Sequence, residues 1–179
     1  GGQFTINPDG QFDDLEAGVT RTTSVTYDVS DGEGGTDTAT LTITVTGVND
    51  APVQVGTLPN QTNVDAGTGI SVSVTGGFRD VDTGDSLTYT ATGLPQGLTL
   101  DPTTGVITGT IDNSASQGGL NNGGVYTVTV TATDEHSAVV TQTFTWTVTN
   151  PAPDAVDDTG TTNENTALTV TAGNGVLKN

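Results

Sequence analysis

Clustered aspartates are the residues of this sequence best suited to binding chemistry. Asp80-Val81-Asp82 places two carboxylates two positions apart, and Asp85 follows closely. In an extended segment, side chains two positions apart share a face, so both carboxylates point to the same side. Calcium takes about six to eight oxygen ligands at about 2.3–2.6 Å, which clustered carboxylates can supply. The spacing therefore favours a divalent-cation site, although solvated turn aspartates would produce the same pattern.

Catalytic chemistry has much weaker support in the sequence. His136 is the sole histidine and lies between Glu135 and Ser137 in a predicted turn. A Ser–His–Asp triad needs residues that converge from separate segments, together with an oxyanion hole. Adjacent turn residues do not meet that need, and we expect a solvated turn histidine. No nucleophile–base pair or catalytic carboxylate dyad emerges elsewhere, so the sequence predicts no enzyme.

Composition excludes several classes of partner. The chain has 179 residues, with Lys+Arg 3 against Asp+Glu 21, and a formal net charge of −18. So few cations cannot neutralise nucleic-acid phosphates or attract an anionic membrane surface. No apolar run approaches the ~18 residues of a membrane span, so we expect no membrane insertion. Cysteine is absent, which removes disulfides and thiolate metal sites.

The elements that must position these aspartates are predicted to be β-strands. Apolar and polar residues alternate with period 2 in two pairs of segments, which is the signature of half-buried strands. The first pair is 25–29 with 39–45, and the second is 126–132 with 140–148. Each pair encloses a short polar turn, as expected of hairpins. Because no segment shows helical periodicity, the sequence predicts an all-β chain.

The two hairpins belong to an internal repeat. Each is followed by a similar linker, Val48-Asn49-Asp50-Ala51-Pro52 in one case and Thr149-Asn150-Pro151-Ala152-Pro153 in the other. Asn49 and Asn150 lie about 101 residues apart, a usual size for a β-sandwich domain. The repeat predicts one complete unit, 51–150, between the second half of a preceding unit, 1–50, and the first strands of a third, 151–179.

One segment carries a resemblance to a known family. Residues 94–112, from Leu-Pro-Gln-Gly-Leu to Gly-Thr-Ile-Asp, followed by Tyr126–Asp134, resemble the dystroglycan-type cadherin-like repeats of bacterial surface proteins. Residues 11–50 and 154–179 look like halves of the related repeats in large Gram-negative adhesins of the RTX type. The resemblance implies tandem Ig/cadherin-like Greek-key β-sandwich domains, one complete and two partial, in an extracellular stalk on the bacterial cell surface. It implies calcium at the domain junctions and no catalytic activity.

The resemblance also implies which residues bind calcium at the first junction. The family's site uses the interdomain linker, an Asp-x-Asp of the following domain and an Asp in that domain's last hairpin. The matching positions here are Asn49 and Asp50, then Asp80 and Asp82, then Asp134. Asp85 is an additional candidate ligand.

A second junction is predicted at the other end of the central unit. Its candidate ligands are Asp65, Asp112, Asn150 and Asp154, with Asp157 or Asp158 as substitutes. Pro151 stands where the first linker has Asp50, so one carboxylate is lost. This site is therefore expected to be weaker or empty.

Two functions follow as alternatives. The favoured one is a calcium-rigidified structural extender or adhesion module, whose partners are neighbouring repeats of the same protein. The other is a carbohydrate-binding module, which would need an exposed aromatic groove. We expect Trp146 to be a core residue instead, because it shares a strand face with Phe144 and Val148. Because the two outer units are partial, we also predict head-to-tail self-association between chains, or a C-terminal tail, 151–179, that is loosely ordered or docked elsewhere.

Overall fold

The computed structural model describes residues 5–7, 9–152 and 161–167. Their regular structure is almost entirely β, in keeping with the alternating sequence. Eleven strands are present in this part of the chain, with two short 3₁₀ turns at Thr75–Gly77 and Ala115–Gln117. The strands are β1 Thr20–Ser30, β2 Thr36–Thr46, β3 Val53–Gln54, β4 Gln61–Val64, β5 Ile70–Ser73, β6 Phe78–Arg79, β7 Thr88–Thr92, β8 Leu98–Leu100, β9 Val106–Gly109, β10 Val125–Thr133 and β11 Val139–Thr149.

Strands β1 and β2 form an antiparallel hairpin that precedes the linker. Thr20 pairs with Thr46 at one end and Ser30 with Thr36 at the other. Asp31 fixes the turn, because its Oδ1 accepts hydrogen bonds from the N–H groups of Glu33 at 2.8 Å and Gly35 at 2.9 Å. These bonds hold the pKa of Asp31 below its usual value. The hairpin predicted for 25–45 is therefore present.

Strands β3–β11 build a sandwich of two main sheets. One sheet has the order β4-β11-β10-β7 and the other β5-β9-β8, while β3 pairs with β6 separately. Neighbours in the sheets are antiparallel except β11 and β4, which run parallel. The described residues therefore confirm the expected all-β class and its sandwich architecture. Among them, no helix is long and apolar enough to cross a membrane.

The core lies between the two sheets and is built as the alternation predicts. Val128, Val130, Phe144, Trp146 and Val148 are all buried, and Ile107 packs from the other sheet. Tyr126, Val72 and Leu87 are only partly buried. Tyr89 is also buried, and it lies on the same sheet as Val130, because β7 pairs with β10.

Trp146 is fully enclosed, and its one polar atom has a partner. The indole N–H donates to Asn63 Oδ1 at 3.0 Å, and the ring packs 6.1 Å from that of Phe144, centroid to centroid. A buried indole usually needs such a partner. Trp146 is therefore a core residue, as the sequence predicts, and is not a surface platform for a sugar.

The third predicted unit is described only in part. Residues 161–167 contain a turn at 164–165 and no strand. Most of the segment 151–179, in which the first strands of this unit are predicted, lies outside the described residues, as do the candidate ligands Asp154, Asp157 and Asp158. The division of the chain into three units stays a prediction.

Candidate functional site

The acidic site forms where the linker after β2 reaches the sandwich. Four segments meet here: the loop 12–18 before β1, the linker 47–52, the loop 80–86 after β6, and the turn 134–138 between β10 and β11. The two loops and the turn begin or end regular strands, so the strand pairing fixes their approach. The linker is anchored by Pro52, which is buried.

The linker is hydrogen-bonded directly to the sandwich. Asn49 Nδ2 donates to Asp134 Oδ2 at 3.0 Å, and the backbone N–H of Asp50 donates to Asp82 Oδ2 at 2.8 Å. Asp82 and Asp134 are both buried, with exposed fractions of 4% and 5%. These contacts bring together the linker, the Asp-x-Asp motif and the hairpin aspartate.

Asp134 is held by the turn in the same way that Asp31 is held in the first hairpin. Its Oδ1 accepts from the N–H groups of His136 at 2.9 Å and Ala138 at 2.8 Å. Burial alone would raise the pKa of Asp134. The bonds from Asn49, Ala138 and His136 outweigh that effect and lower the pKa. Asp134 is thus a fixed carboxylate that stays charged.

The Asp-x-Asp loop brings three carboxylates together. The N–H of Asp82 donates to Asp80 Oδ1 at 3.1 Å, which turns the chain back on itself. One oxygen each from Asp80, Asp82 and Asp85 lies within 4.8 Å of the others. This spacing is short enough for a single ion to contact all three.

The loop 12–18 adds a carboxylate that the sequence prediction missed, that of Glu16. Leu15 anchors the loop, with only 4% of its surface exposed, and the carbonyl of Asp14 accepts the N–H of Thr83 at 3.0 Å. One oxygen each from Glu16, Asp85 and Glu135 lies within 4.8 Å of the others. A signal was available in the sequence, since Leu15 is a lone apolar residue within the acidic run Asp13-Asp14-Leu15-Glu16.

Arg21 holds this loop against β1. Its guanidinium makes a bidentate pair with Asp14, with both N–H···O distances at 2.8 Å, and lies 5.9 Å from the centroid of the Phe12 ring. The hydrogen bond from Arg21 lowers the pKa of Asp14. Asp14 is therefore paired with a cation of the chain, whereas Glu16 faces other carboxylates.

Several oxygens of the site are buried without a hydrogen-bond donor among the described residues. They are Asn49 Oδ1, Asp80 Oδ2, Asp82 Oδ1, Asp85 Oδ1 and Asp85 Oδ2. A buried carboxylate oxygen without a donor or cation is costly, because it loses its hydration and gains nothing in return. All of these atoms are acceptors and belong to one cluster. They match the donor set that a hard divalent cation takes.

The local electrostatics agree with an unneutralised acidic pocket. Burial is the largest cause that raises the pKa of Asp50, followed by the charges of Asp82, Asp13 and Asp80. Burial is likewise the largest cause that raises the pKa of Asp85. The negative charges of Glu16, Asp80 and Asp82 raise it further. His136 opposes the shift at Asp85, but its Nδ1 lies 3.9 Å from Asp85 Oδ2, beyond hydrogen-bond distance. The chain itself supplies little positive charge here.

The structure brings the predicted residues of the first junction together, namely Asn49, Asp50, Asp80, Asp82, Asp85 and Asp134. It does not bring Asp65 and Asp112 into that cluster. Asp65 accepts from the N–H and the hydroxyl of Ser116, and Asp112 accepts from the N–H and the hydroxyl of Ser114. Hydrogen bonds within the sandwich thus engage both oxygens of Asp65 and Oδ1 of Asp112, and a cation at this end stays a prediction.

Comparison with known proteins shows that the chain is similar to parts of bacterial proteins named as an adhesin and as a calcium-binding lectin. The chain is 35% identical over 88 residues to a serine-rich adhesin for platelets from Staphylococcus aureus (strain MSSA476), covering 49% of this chain and 4% of the adhesin. It is 46% identical over 54 residues to the calcium-binding lectin RapA2 of Rhizobium johnstonii, covering 27% of this chain and 23% of the lectin. The chain therefore spans only a small part of either relative.

Solved structures with the same fold include cadherins. Mouse cadherin-23 EC22–24 aligns with a TM-score of 0.52 at 19% identity, over 73% of this chain and 43% of that one. The protocadherin gamma B7 extracellular domains align with a TM-score of 0.51 at 21% identity, over 73% of this chain and 32% of that one. At such identities the likeness concerns the fold alone.

Family profiles match both sides of the linker. A profile described as "Bacterial Ig domain" matches residues 1–44, and one described as "Putative Ig domain" matches residues 51–149. The second match takes in the sandwich of β3–β11, including the loop 80–86 and the turn 134–138. Since that match covers more than half of the residues, the chain belongs to the "Putative Ig domain" family of Ig-like domains.

Proposed function

We propose that this chain is a calcium-rigidified extender module of a large bacterial adhesin, outside the cell. The proposal rests on the buried side-chain oxygens at the junction that accept no hydrogen bond among the described residues. These oxygens belong both to the linker and to the sandwich. A cation that binds both parts at once would fix their relative orientation. The similarity to parts of an adhesin and of a calcium-binding lectin supports the same proposed function.

The residues that would hold the ion are those whose oxygens converge. Asn49 and Asp50 come from the linker, Asp80 and Asp82 from the loop after β6, and Asp134 from the last hairpin. Calcium supplies charge neutralisation and ligand cross-linking at such a site. The chain's own residues prepare the arrangement, since Asp134 is held by two N–H groups of its turn and Asp82 by the linker N–H of Asp50.

Without a cation, the negative charges of the same residues destabilise the junction. Two like charges about 4 Å apart repel by about 1 kcal/mol even in a water-like dielectric. The linker carries Asp50 and the sandwich carries Asp80 and Asp82, so this repulsion acts between the two parts. We infer that the junction is stiff with calcium and hinged without it. The protein's role is then mechanical, as a spacer that projects a distal binding region.

A melting experiment tests the proposal. Calcium that binds only the folded form stabilises it by RT ln(1 + [L]/Kd), about 4 kcal/mol at a thousandfold excess over Kd. Asp82→Asn removes one charged ligand and should weaken calcium binding at least about tenfold, or about 1.4 kcal/mol. Asp9→Asn is the matched control, because Asp9 is exposed in a turn away from the cluster. A melting temperature that is the same in calcium and in chelator would contradict the proposal.

A carbohydrate-binding module is the second candidate. The match to a protein named as a calcium-binding lectin favours it, while the full burial of Trp146 removes the only tryptophan of the chain as a sugar platform. Binding of the purified chain to a glycan array would support this function, and loss of that binding in chelator would link it to the acidic junction.

A further inference from the structure

The β1–β2 hairpin is built like the last hairpin of the sandwich, β10–β11. In each turn an aspartate, Asp31 or Asp134, accepts on Oδ1 the backbone N–H groups of the residues two and four positions further on. Its own N–H donates to the carbonyl four positions on, at 3.1 Å in both turns. The strand that follows, β2 or β11, begins five residues after the aspartate and has 11 residues in both cases. The two hairpins therefore correspond position by position.

Corresponding positions of the two hairpins differ in burial. Val128 and Phe144 pair across β10–β11 and face the core, with exposed fractions of 0% and 5%. Val25 and Leu41 pair in the same place across β1–β2, but Val25 is 46% exposed and Leu41 is half-buried. Val29, on the same face, is 49% exposed. A two-stranded hairpin is marginally stable alone in water. This apolar face, which the described residues leave largely open, is therefore suited to packing against a further segment.

The sandwich shows what such a hairpin packs against. β4 extends its sheet by pairing in parallel with the end of β11. β5 follows in the opposite sheet, where its Ile70 and Val72 pack against the core. The segment 61–73 thus supplies first an edge strand and then a facing strand.

The C-terminal tail contains the same turn as this segment. After β4, the turn 64–67 closes with a hydrogen bond of 3.1 Å from the N–H of its last residue to the carbonyl of its first, and its third residue, Ala66, has a φ of 57°. The turn 163–166 closes with a bond of the same length, and its third residue, Asn165, has a φ of 64°. The turn between the edge strand and the facing strand is therefore repeated in the tail.

The side chains beyond the two turns also correspond. Leu168-Thr169-Val170-Thr171 alternates in the same way as Ile70-Ser71-Val72-Ser73. In an extended strand, Leu168 and Val170 share one side. Glu164 is the only charged residue between positions 161 and 173. The high negative charge of the chain therefore does not oppose burial of this part of the tail.

Within one chain, the tail and the hairpin lie at opposite ends of the sandwich. β11 begins beside the linker, and its 11 residues carry the chain roughly 36 Å away at about 3.3 Å per residue. Residues 161–167 are exposed at every position, so this part of the tail is not covered by its own sandwich or hairpin. A contact between the tail of one copy and the hairpin of the next joins the two without folding the chain back.

We propose that the segment 161–171 of one copy completes the β1–β2 hairpin of a second copy by strand addition. The residues before the turn pair in parallel with the end of β2, as β4 pairs with β11. Leu168 and Val170 then cover the apolar face around Val25 and Leu41. Because the contact is head-to-tail, it propagates from copy to copy. This interaction surface is separate from the calcium junction and goes beyond the proposed function.

Sedimentation velocity of the full chain over a concentration series, with calcium present throughout, tests the inference. The wild type should form oligomers that grow with concentration. Val170→Asp in the tail and Val25→Asp on the hairpin face should each weaken association at least about tenfold, because each buries an unpaired carboxylate in the contact. Thr169→Asp and Thr26→Asp are matched controls, since they add the same charge on the opposite sides of the two strands. They should leave association within about threefold of the wild type.

Mixing the two weakened variants tests the head-to-tail geometry. Val25→Asp keeps an intact tail and Val170→Asp keeps an intact hairpin, so an equal mixture should form a dimer that does not grow further. Contact between two hairpin faces would give no such rescue. Trp146 fluorescence, which reports on the sandwich core, would show that the variants stay folded.

Three results would overturn the inference and leave the calcium junction untouched. The first is a wild type that stays monomeric at high concentration, and protection of its hairpin from hydrogen exchange would then assign the cover to its own tail. The second is association that Val170→Asp leaves unchanged. The third is a mixture of the two variants that remains monomeric.

Discussion

The carboxylates of the junction differ in what surrounds each of them. Asp134 accepts bonds from Asn49, His136 and Ala138, and its pKa is lowered. Asp85 accepts none from the described residues, and its pKa is raised by burial and by neighbouring acids. The fold therefore satisfies one carboxylate by itself and leaves the other in need of a cation. This difference explains how calcium would change the stability of the junction.

Asp85→Asn should stabilise the protein without calcium and destabilise it with calcium. An acid whose pKa is raised on folding binds protons more tightly in the folded state, so its charged form opposes folding above the ordinary pKa. In chelator at pH 7, the neutral amide removes that opposition and raises the melting temperature. As the pH falls through the raised pKa, wild-type Asp85 becomes protonated and the advantage of the variant disappears. In excess calcium, loss of a ligand lowers the melting temperature instead.

Differential scanning fluorimetry over pH 4–8, with chelator and with calcium, would measure both effects. Asp9→Asn serves again as the control for removing a surface charge. An Asp85→Asn variant that melts below the wild type in chelator at pH 7 would show that Asp85 has a partner within the chain, contrary to this account.

At the scale of elements, the junction depends on a close approach between the loop 12–18 and the end of β2. A Cβ at Gly47 would lie 2.3 Å from the carbonyl oxygen of Leu15 and 2.4 Å from that of Glu16. Gly47 also exchanges backbone hydrogen bonds with this region, donating to Val19 and accepting from Gly18. Only glycine permits this contact, so Gly47 sets the position of Glu16.

Gly47→Ala should therefore push the loop away from the sandwich. We expect reduced calcium affinity together with a lower melting temperature in calcium, while the sandwich core remains folded. Gly76→Ala is a matched control, because a Cβ there would meet nothing within 4 Å. Calcium titrations of the two variants would make the comparison, and equal affinities would show that the loop takes no part in binding.

The sequence predicts the long hairpins well and the short elements poorly. β1–β2 and β10–β11 follow from alternating residues around an aspartate turn, which are local signals. The two-residue pair β3–β6 and the parallel pairing of β4 with β11 depend on the packed sandwich and have no local pattern. Glu16 was missed for the same reason, since its neighbours Asp85 and Glu135 are distant in sequence and meet it only through the docking of the loop.

At the scale of the whole molecule, the net charge of −18 connects stability with the ionic environment. Part of that charge is concentrated between the β1–β2 hairpin and the sandwich, where it opposes their association. A divalent cation reverses the effect by contacting both sides at once. We therefore predict that calcium changes the arrangement of the two parts as well as their stability, whereas a general salt effect would only screen the repulsion.

Small-angle X-ray scattering of the full chain, in calcium and then in chelator at the same ionic strength, tests this claim most directly. We predict a longer maximum dimension and a more rigid profile in calcium, and a shorter, more variable one in chelator. Asp82→Asn should largely remove the difference, and Asp9→Asn should preserve it. Identical scattering of the wild type in the two conditions would contradict the account.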